Sequence, residues 1–141
     1  MANHRSVNKI GICAVTIATL LAPCVSGAAE RPPEALKEMR IKFAAAVAAN
    51  DLRATMALTH FPLKNEAYRD SPWISRAAFP MRFQRERYSE FADCLKSSPL
   101  EFHTEAKPPT RSWLVNCDGN LFYFAEIDGH WFYSKYENIN E

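Results

Sequence analysis

The sequence predicts an α+β fold in which N-terminal helices pack on a curved antiparallel β-sheet, all of it behind an export signal. Three observations predict it. Apolar residues recur at helical spacing from Leu36 to Val47, four β-rich segments run from Leu100 to Tyr136, and two of the gaps between those segments are Asp-Gly pairs.

The first element is the leader. Arg5 and Lys9 precede an uncharged run, Ile10 to Ala22, and the small residues Ser26, Gly27, Ala28 and Ala29 follow. A basic head, an apolar middle and a small-residue exit describe a secretory signal peptide. The run is shorter than the roughly 20 residues a bilayer-spanning helix needs, which favours cleavage over retention as an anchor. Cleavage after Ala28 or Ala29 fits the small side chains two residues apart. A lipoprotein signal ending at Cys24 fits worse, because Pro23 stands where a small residue is required. The expected organisation is a signal peptide over residues 1–28 and a single α+β domain over 29–141, located in the periplasm or outside the cell, with no membrane span after cleavage.

Removing residues 1–28 takes two of the 17 basic residues and none of the 16 acidic ones, which leaves a net charge of −1. That balance lacks the electrostatic footprint of a nucleic-acid binder. Cys13 and Cys24 leave with the leader. In an oxidising compartment the remaining pair, Cys94 and Cys117, reads as a disulfide rather than a metal site or a catalytic thiol. Closing that loop stabilises the fold by about 3 kcal/mol in the chain-entropy account.

Pro32 and Pro33 suit the start of a helix, where proline's missing amide hydrogen costs nothing. Leu36, Met39, Phe43 and Val47 then mark its buried face. Asn50 interrupts it, and Asp51 is placed to cap a second short helix, Leu52 to Thr59. Phe61, Pro62 and Leu63 end the helix pair, and a polar stretch from Lys64 to Ser71 leaves room for a short edge strand. Ser75 caps a third helix with Phe79, Phe83, Phe91 and Leu95 on one side, provided Pro80 falls in its first turn.

The remaining segments, LEFHTEA, RSWLVNC, NLFYFAEI and HWFYSKY, read as strands. Asp118-Gly119 and Asp128-Gly129 are strong hairpin signals, because both turn residues must take positive φ. Two-residue turns set Cys117 opposite Asn120 and Ile127 opposite His130. Counting by twos then sets Trp113 opposite Phe124, Val115 opposite Phe122, Phe124 opposite Tyr133 and Arg111 opposite Glu126. The other face carries Leu114, Leu121, Tyr123, Ala125, Ile127, Phe132 and Tyr136. Both faces are apolar, so something must cover each of them. Cys117 shares the Trp113 face, and its bond to the third helix puts the helices there. The opposite face, with Leu114, Tyr123, Phe132 and Tyr136, is the candidate binding surface.

FAAAVAAND with the following FPL (Phe43 to Leu63), ISRAAF (Ile74 to Phe79) and CDGNLFYFAEIDGHW (Cys117 to Trp131), in this order of elements, resemble the nuclear-transport-factor-2-like superfamily, a cystatin-like α+β cone. The resemblance implies a pocket between helices and concave sheet, and often a dimer through the opposite sheet face. It does not choose a function, because that superfamily includes isomerases, dehydratases, polyketide cyclases and domains without catalysis.

The residues assign no catalytic group, no metal and no cofactor. His60, His103 and His130 lack metal-ligand spacing. Glu126 as a base is weakened by its expected partner Arg111, since a neighbouring cation lowers a carboxylate's pKa. Arg76, Arg82, Arg85 and Arg87 are interleaved with Glu86, Glu90 and Asp93 as on a solvated face. The reading is an exported, non-catalytic binding or interaction domain, acting through the aromatic sheet face or an internal pocket on a second copy, a protein partner or a small apolar ligand. The alternatives are an isomerase- or cyclase-type enzyme with acid-base groups in the cone, and an inhibitor or immunity protein of a secreted enzyme.

Overall fold

The structure is a computed structural model and describes residues 30–68, 70–106 and 109–140. The expected signal peptide lies outside them. Four α-helices and a six-stranded mixed sheet make an open α+β fold: α1 (Glu34–Ala48), α2 (Leu52–Ala57), β1 (Thr59–Asn65), β2 (Trp73–Ile74), α3 (Phe79–Arg85), α4 (Ala92–Ser97), β3 (Glu101–Ala106), β4 (Pro109–Cys117), β5 (Asn120–Ile127) and β6 (His130–Asn138). No described helix is long and apolar enough to cross a membrane.

The sheet order is β2-β1-β6-β5-β4-β3. All neighbours are antiparallel except β1 and β6, which run parallel, so the expected antiparallel sheet is mixed. The residues from Thr59 to Asn65, expected to end the helix pair, form an interior strand instead. Pro62 is tolerated because the β1–β6 ladder is interrupted between Thr59 and Lys64, where a missing amide donor costs no sheet bond.

α1 buries Leu36, Met39, Phe43 and Val47 as its spacing predicts. The Asp51 side chain accepts from the Ala54 amide at 2.9 Å and caps α2. The third helix is broken. α3 ends at Arg85, Arg87 adopts φ 48°, a 3-10 turn spans Tyr88–Phe91, and α4 follows. The break turns Tyr88 into the core, where it is 2% exposed. Ser75 caps the turn that precedes α3, through Ala78 at 3.2 Å, and Pro80 stands in the helix's first turn. Arg40 on α1 donates to the Ser98 carbonyl at 2.5 Å and ties α1 to the end of α4.

Both hairpin turns take positive φ at both positions, Asp118 and Gly119, Asp128 and Gly129. Cys117 pairs with Asn120, Trp113 with Phe124, Val115 with Phe122, Ile127 with His130 and Phe124 with Tyr133, each as expected. The Cys94 and Cys117 sulfurs lie at bonding distance, 2.04 Å, and link α4 to β4. The helices cover the Trp113 face. Phe43 meets Phe124 and Tyr133, and Tyr88 meets Phe122, with ring centroids 4.9–6.0 Å apart.

Candidate functional site

Leu114, Tyr123 and Phe132 lie on the face turned away from the helices, where the sequence sets them. Leu114 pairs with Tyr123 across β4 and β5, and Ala125 pairs with Phe132 across β5 and β6. Tyr136 does not join them. A bulge in β6 pairs Tyr123 with Lys135 although Phe124 pairs with Tyr133, so Ser134 is the extra residue. One added residue reverses the facing of everything beyond it. Tyr136 therefore opposes Phe122 on the helix side, with ring centroids 5.3 Å apart, and donates to Asn120 Oδ1 at 2.5 Å. Lys135 takes the outer place expected for an apolar ring.

That exchange builds a charged cluster that counting by twos misses. Lys135 Nζ lies 2.7 Å from Glu105 on β3, 3.3 Å from Glu66 just past β1 and 3.7 Å from Glu137 on its own strand. The same ammonium sits 4.5 Å over the Tyr123 ring. Lys64 also pairs with Glu66, His103 Nε2 is 3.9 Å from Glu105, and the Tyr123 hydroxyl donates to Glu137 at 2.9 Å. Three carboxylates converge here as metal ligands would, but an ammonium holds the centre.

The pKa shifts follow from this geometry. The bond from Lys135 holds Glu105 below the usual carboxylate range despite partial burial. Burial alone would raise Glu66, but Lys64 and Lys135 bring it below its ordinary value. Burial disfavours the Lys135 cation, and Glu105, Glu66 and Glu137 more than offset it, so its pKa is raised. Burial and the bond to Glu137 push the Tyr123 hydroxyl well above its ordinary value. Glu66, Glu105 and Lys135 are thus each favoured in their charged form, beside a phenol favoured in its neutral one.

A groove of about 1000 Å³ crosses this outer face. Its middle is lined by small residues, Ser112, Ala125 and Ser134, with Tyr123 and Lys135 on one side and Ile127 on another. His60, Pro62, Lys64 and Trp73 form one bank. Glu105 stands on the other, and the space also touches Phe102, Arg111, Trp113 and Trp131, which the register turns to the helix side, with Glu30, Arg31 and Pro33 from the start of the described chain. The face is consequently a trough with Trp73 exposed on one bank, partly covered by its own charged side chains, where the sequence predicts an apolar contact surface.

Other candidates resolve into structural roles. Arg111 pairs with Glu30, not Glu126, and its guanidinium lies 5.2 Å from the Phe102 ring centre. Glu126 is exposed. His60 meets the Phe132 ring at 6.2 Å. In the basic helical region Arg76 covers Phe61, Arg82 covers Tyr68, and Arg87 pairs with Glu90.

The space where the resemblance implies a pocket is packed. Phe43, Tyr88, Phe122, Phe124 and Tyr133 are buried against one another there, and Trp113 is 4% exposed. The Tyr88 and Tyr133 hydroxyls bond to each other at 3.1 Å, and burial pushes both well above their ordinary pKa.

No protein-family model, no curated protein and no solved structure matches this chain.

Proposed function

We propose that the chain is an exported, non-catalytic binding domain that works through the outer face of its sheet. The groove over Ser112, Ala125 and Ser134 carries the reading: it is the size of a ligand site, amphiphilic, and flanked by the ion pairs of Lys135. The aromatic packing on the helix side weighs against the isomerase or cyclase alternative, because the tyrosines that would serve as donors there are bonded to each other. The pair Cys94 and Cys117 at bonding distance supports an oxidising location, the periplasm or the cell exterior. The order of two helices, a short two-stranded pairing, a broken helix and a four-stranded meander supports a place near the nuclear-transport-factor-2-like superfamily.

The test is native purification from the exported fraction, with mass spectrometry of whatever co-purifies, for the wild type and for Ala125→Trp. Filling the trough should release the retained molecule while leaving the circular dichroism spectrum unchanged. Equal retention by both forms sinks the reading.

A further inference from the structure

We infer that Asp128 is a site of spontaneous covalent modification: its side chain closes on the Gly129 amide to form a succinimide, which reopens as isoaspartate, whereas the same dipeptide at Asp118-Gly119 is held unreactive by its surroundings. The inference does not depend on what the outer face binds.

The two turns start alike. Each joins neighbouring strands through two residues, and Asp118, Gly119, Asp128 and Gly129 all have φ between 51° and 81°. Both aspartates are exposed. In both turns glycine follows the aspartate, so no side chain shields the amide nitrogen from the neighbouring carboxyl carbon.

The reaction is a condensation. The Gly129 nitrogen bonds to Asp128 Cγ, its N–H bond and the Cγ–OH bond of the protonated carboxyl group break, and one water molecule leaves with that hydrogen and hydroxyl. Nothing is oxidised or reduced. Water then adds back at either ring carbonyl: addition at Cγ restores aspartate, and addition at the α-carbonyl leaves the chain running through Cγ, as isoaspartate. The product adds one carbon to the backbone of a turn whose base is the pair Ile127 and His130, at the end of the β5–β6 ladder.

Ring closure needs the peptide plane between aspartate and glycine to turn about the aspartate Cα–C bond. A two-residue hairpin permits this rotation, since type I′ and type II′ turns share positive φ at the first position and differ in the orientation of the central peptide. The two sites differ in what holds that plane. At Asp118-Gly119 the carbonyl accepts from Asn140 Nδ2 at 2.8 Å, and the amide donates to Asn116 Oδ1 at 2.9 Å. The plane is pinned at both ends. The Gly119 carbonyl also accepts from the Ile139 amide at 2.9 Å, and the Asn140 side chain fills the space beside the Gly119 α-carbon. At Asp128-Gly129 no group among the described residues bonds to the Asp128 carbonyl or the Gly129 amide, and nothing lies within 4 Å of where a Gly129 β-carbon would stand. That plane is free to turn.

The experiment ages the folded protein for weeks at neutral pH, beside the same chain reduced and unfolded in urea. Isoaspartate at each turn is counted by digestion with Asp-N protease, which cleaves before aspartate and not before isoaspartate. In the folded protein it should accumulate at Asp128 at least about fivefold faster than at Asp118, the equivalent of one hydrogen bond that must break before the ring closes there. In urea the two rates should be nearly equal. Asn116→Ala and Asn140→Ala each free one end of the pinned plane, and each should speed accumulation at Asp118 while leaving Asp128 unchanged. No isoaspartate at Asp128 in the folded protein overturns the inference, and so does equal accumulation at the two turns. A preference for Asp128 that persists in urea places the difference in the flanking residues and overturns the structural cause. An Asp118 that stays slow in both asparagine variants does the same.

Discussion

On β5, Phe122 and Phe124 point toward the helices and are fully buried, while Tyr123 between them points outward and is only 3% exposed. The burial is nearly equal and the means differ. The phenylalanines are enclosed by rings from α1, the Tyr88 turn and β6. Tyr123 is covered by the Lys135 ammonium, with Glu137 on its hydroxyl and the His103 ring 5.3 Å away. One strand therefore carries two kinds of cover: an apolar one that depends on shape, and an ionic one that depends on protonation. The ionic cover protects part of a face that would otherwise need a companion, and it leaves the trough beside it open.

That contrast can be attacked from each side. The largest effect is expected on the inner face: Phe122→Ala leaves a cavity among Tyr88, Tyr133 and Tyr136 and should cost about 3–5 kcal/mol in urea denaturation. Removing the α4–β4 link with Cys94→Ser and Cys117→Ser together should cost about 3 kcal/mol, read as a lowered midpoint that reducing agent also produces in the wild type. An unchanged midpoint would show that the pair is not bonded.

Lys135→Met tests the ionic cover and should cost about 1–3 kcal/mol at neutral pH, because three half-exposed carboxylates are left facing one another. Its pH dependence separates it from a packing defect. Glu66 and Glu105 have folded-state pKa values below their ordinary ones, so the stability they contribute is complete above the ordinary carboxylate pKa and is lost as the pH falls through the lowered values. The difference between wild type and Lys135→Met should therefore shrink on acidification. A difference that stays constant from pH 7 to pH 3 would place the effect in packing.

The smallest effects are expected at the periphery. Tyr123→Phe removes one hydrogen bond to Glu137 and should cost about 1 kcal/mol. Trp73→Ala should change stability by about 0.5 kcal/mol or less, since the ring is mostly in water. A large loss there would mean that Trp73 supports the sheet instead of waiting for a ligand.

The elements that local chemistry determines were legible in the sequence. Asp-Gly at two positions sets both hairpins and their register, the spacing of Leu36, Met39, Phe43 and Val47 sets the buried side of α1, and Asp51 caps α2. The features that were not legible depend on distant strands. Tyr136 and Lys135 exchange faces because of one extra residue at Ser134, and nothing local to SKYE demands a bulge there. β1 hides behind Pro62 because its partner, β6, is far along the chain and parallel to it. Lys135, Glu105, Glu66 and Tyr123 come from separate parts of the sequence, so no spacing rule gathers them. The break at Arg87 was hidden by a helical stripe that continues across it, with Phe79 and Phe83 before and Phe91 and Leu95 after.

The place of β6 in the sheet has a consequence for how the chain comes together. The final strand lies between β5 and β1, so it is the keystone that joins the amino-terminal strand pair to the carboxy-terminal meander. Until the ribosome has released His130 to Asn138, β1 and β5 each present a bare edge and the two halves have no common sheet. The six-stranded sheet can therefore close only once β6 is present to cover both of those edges.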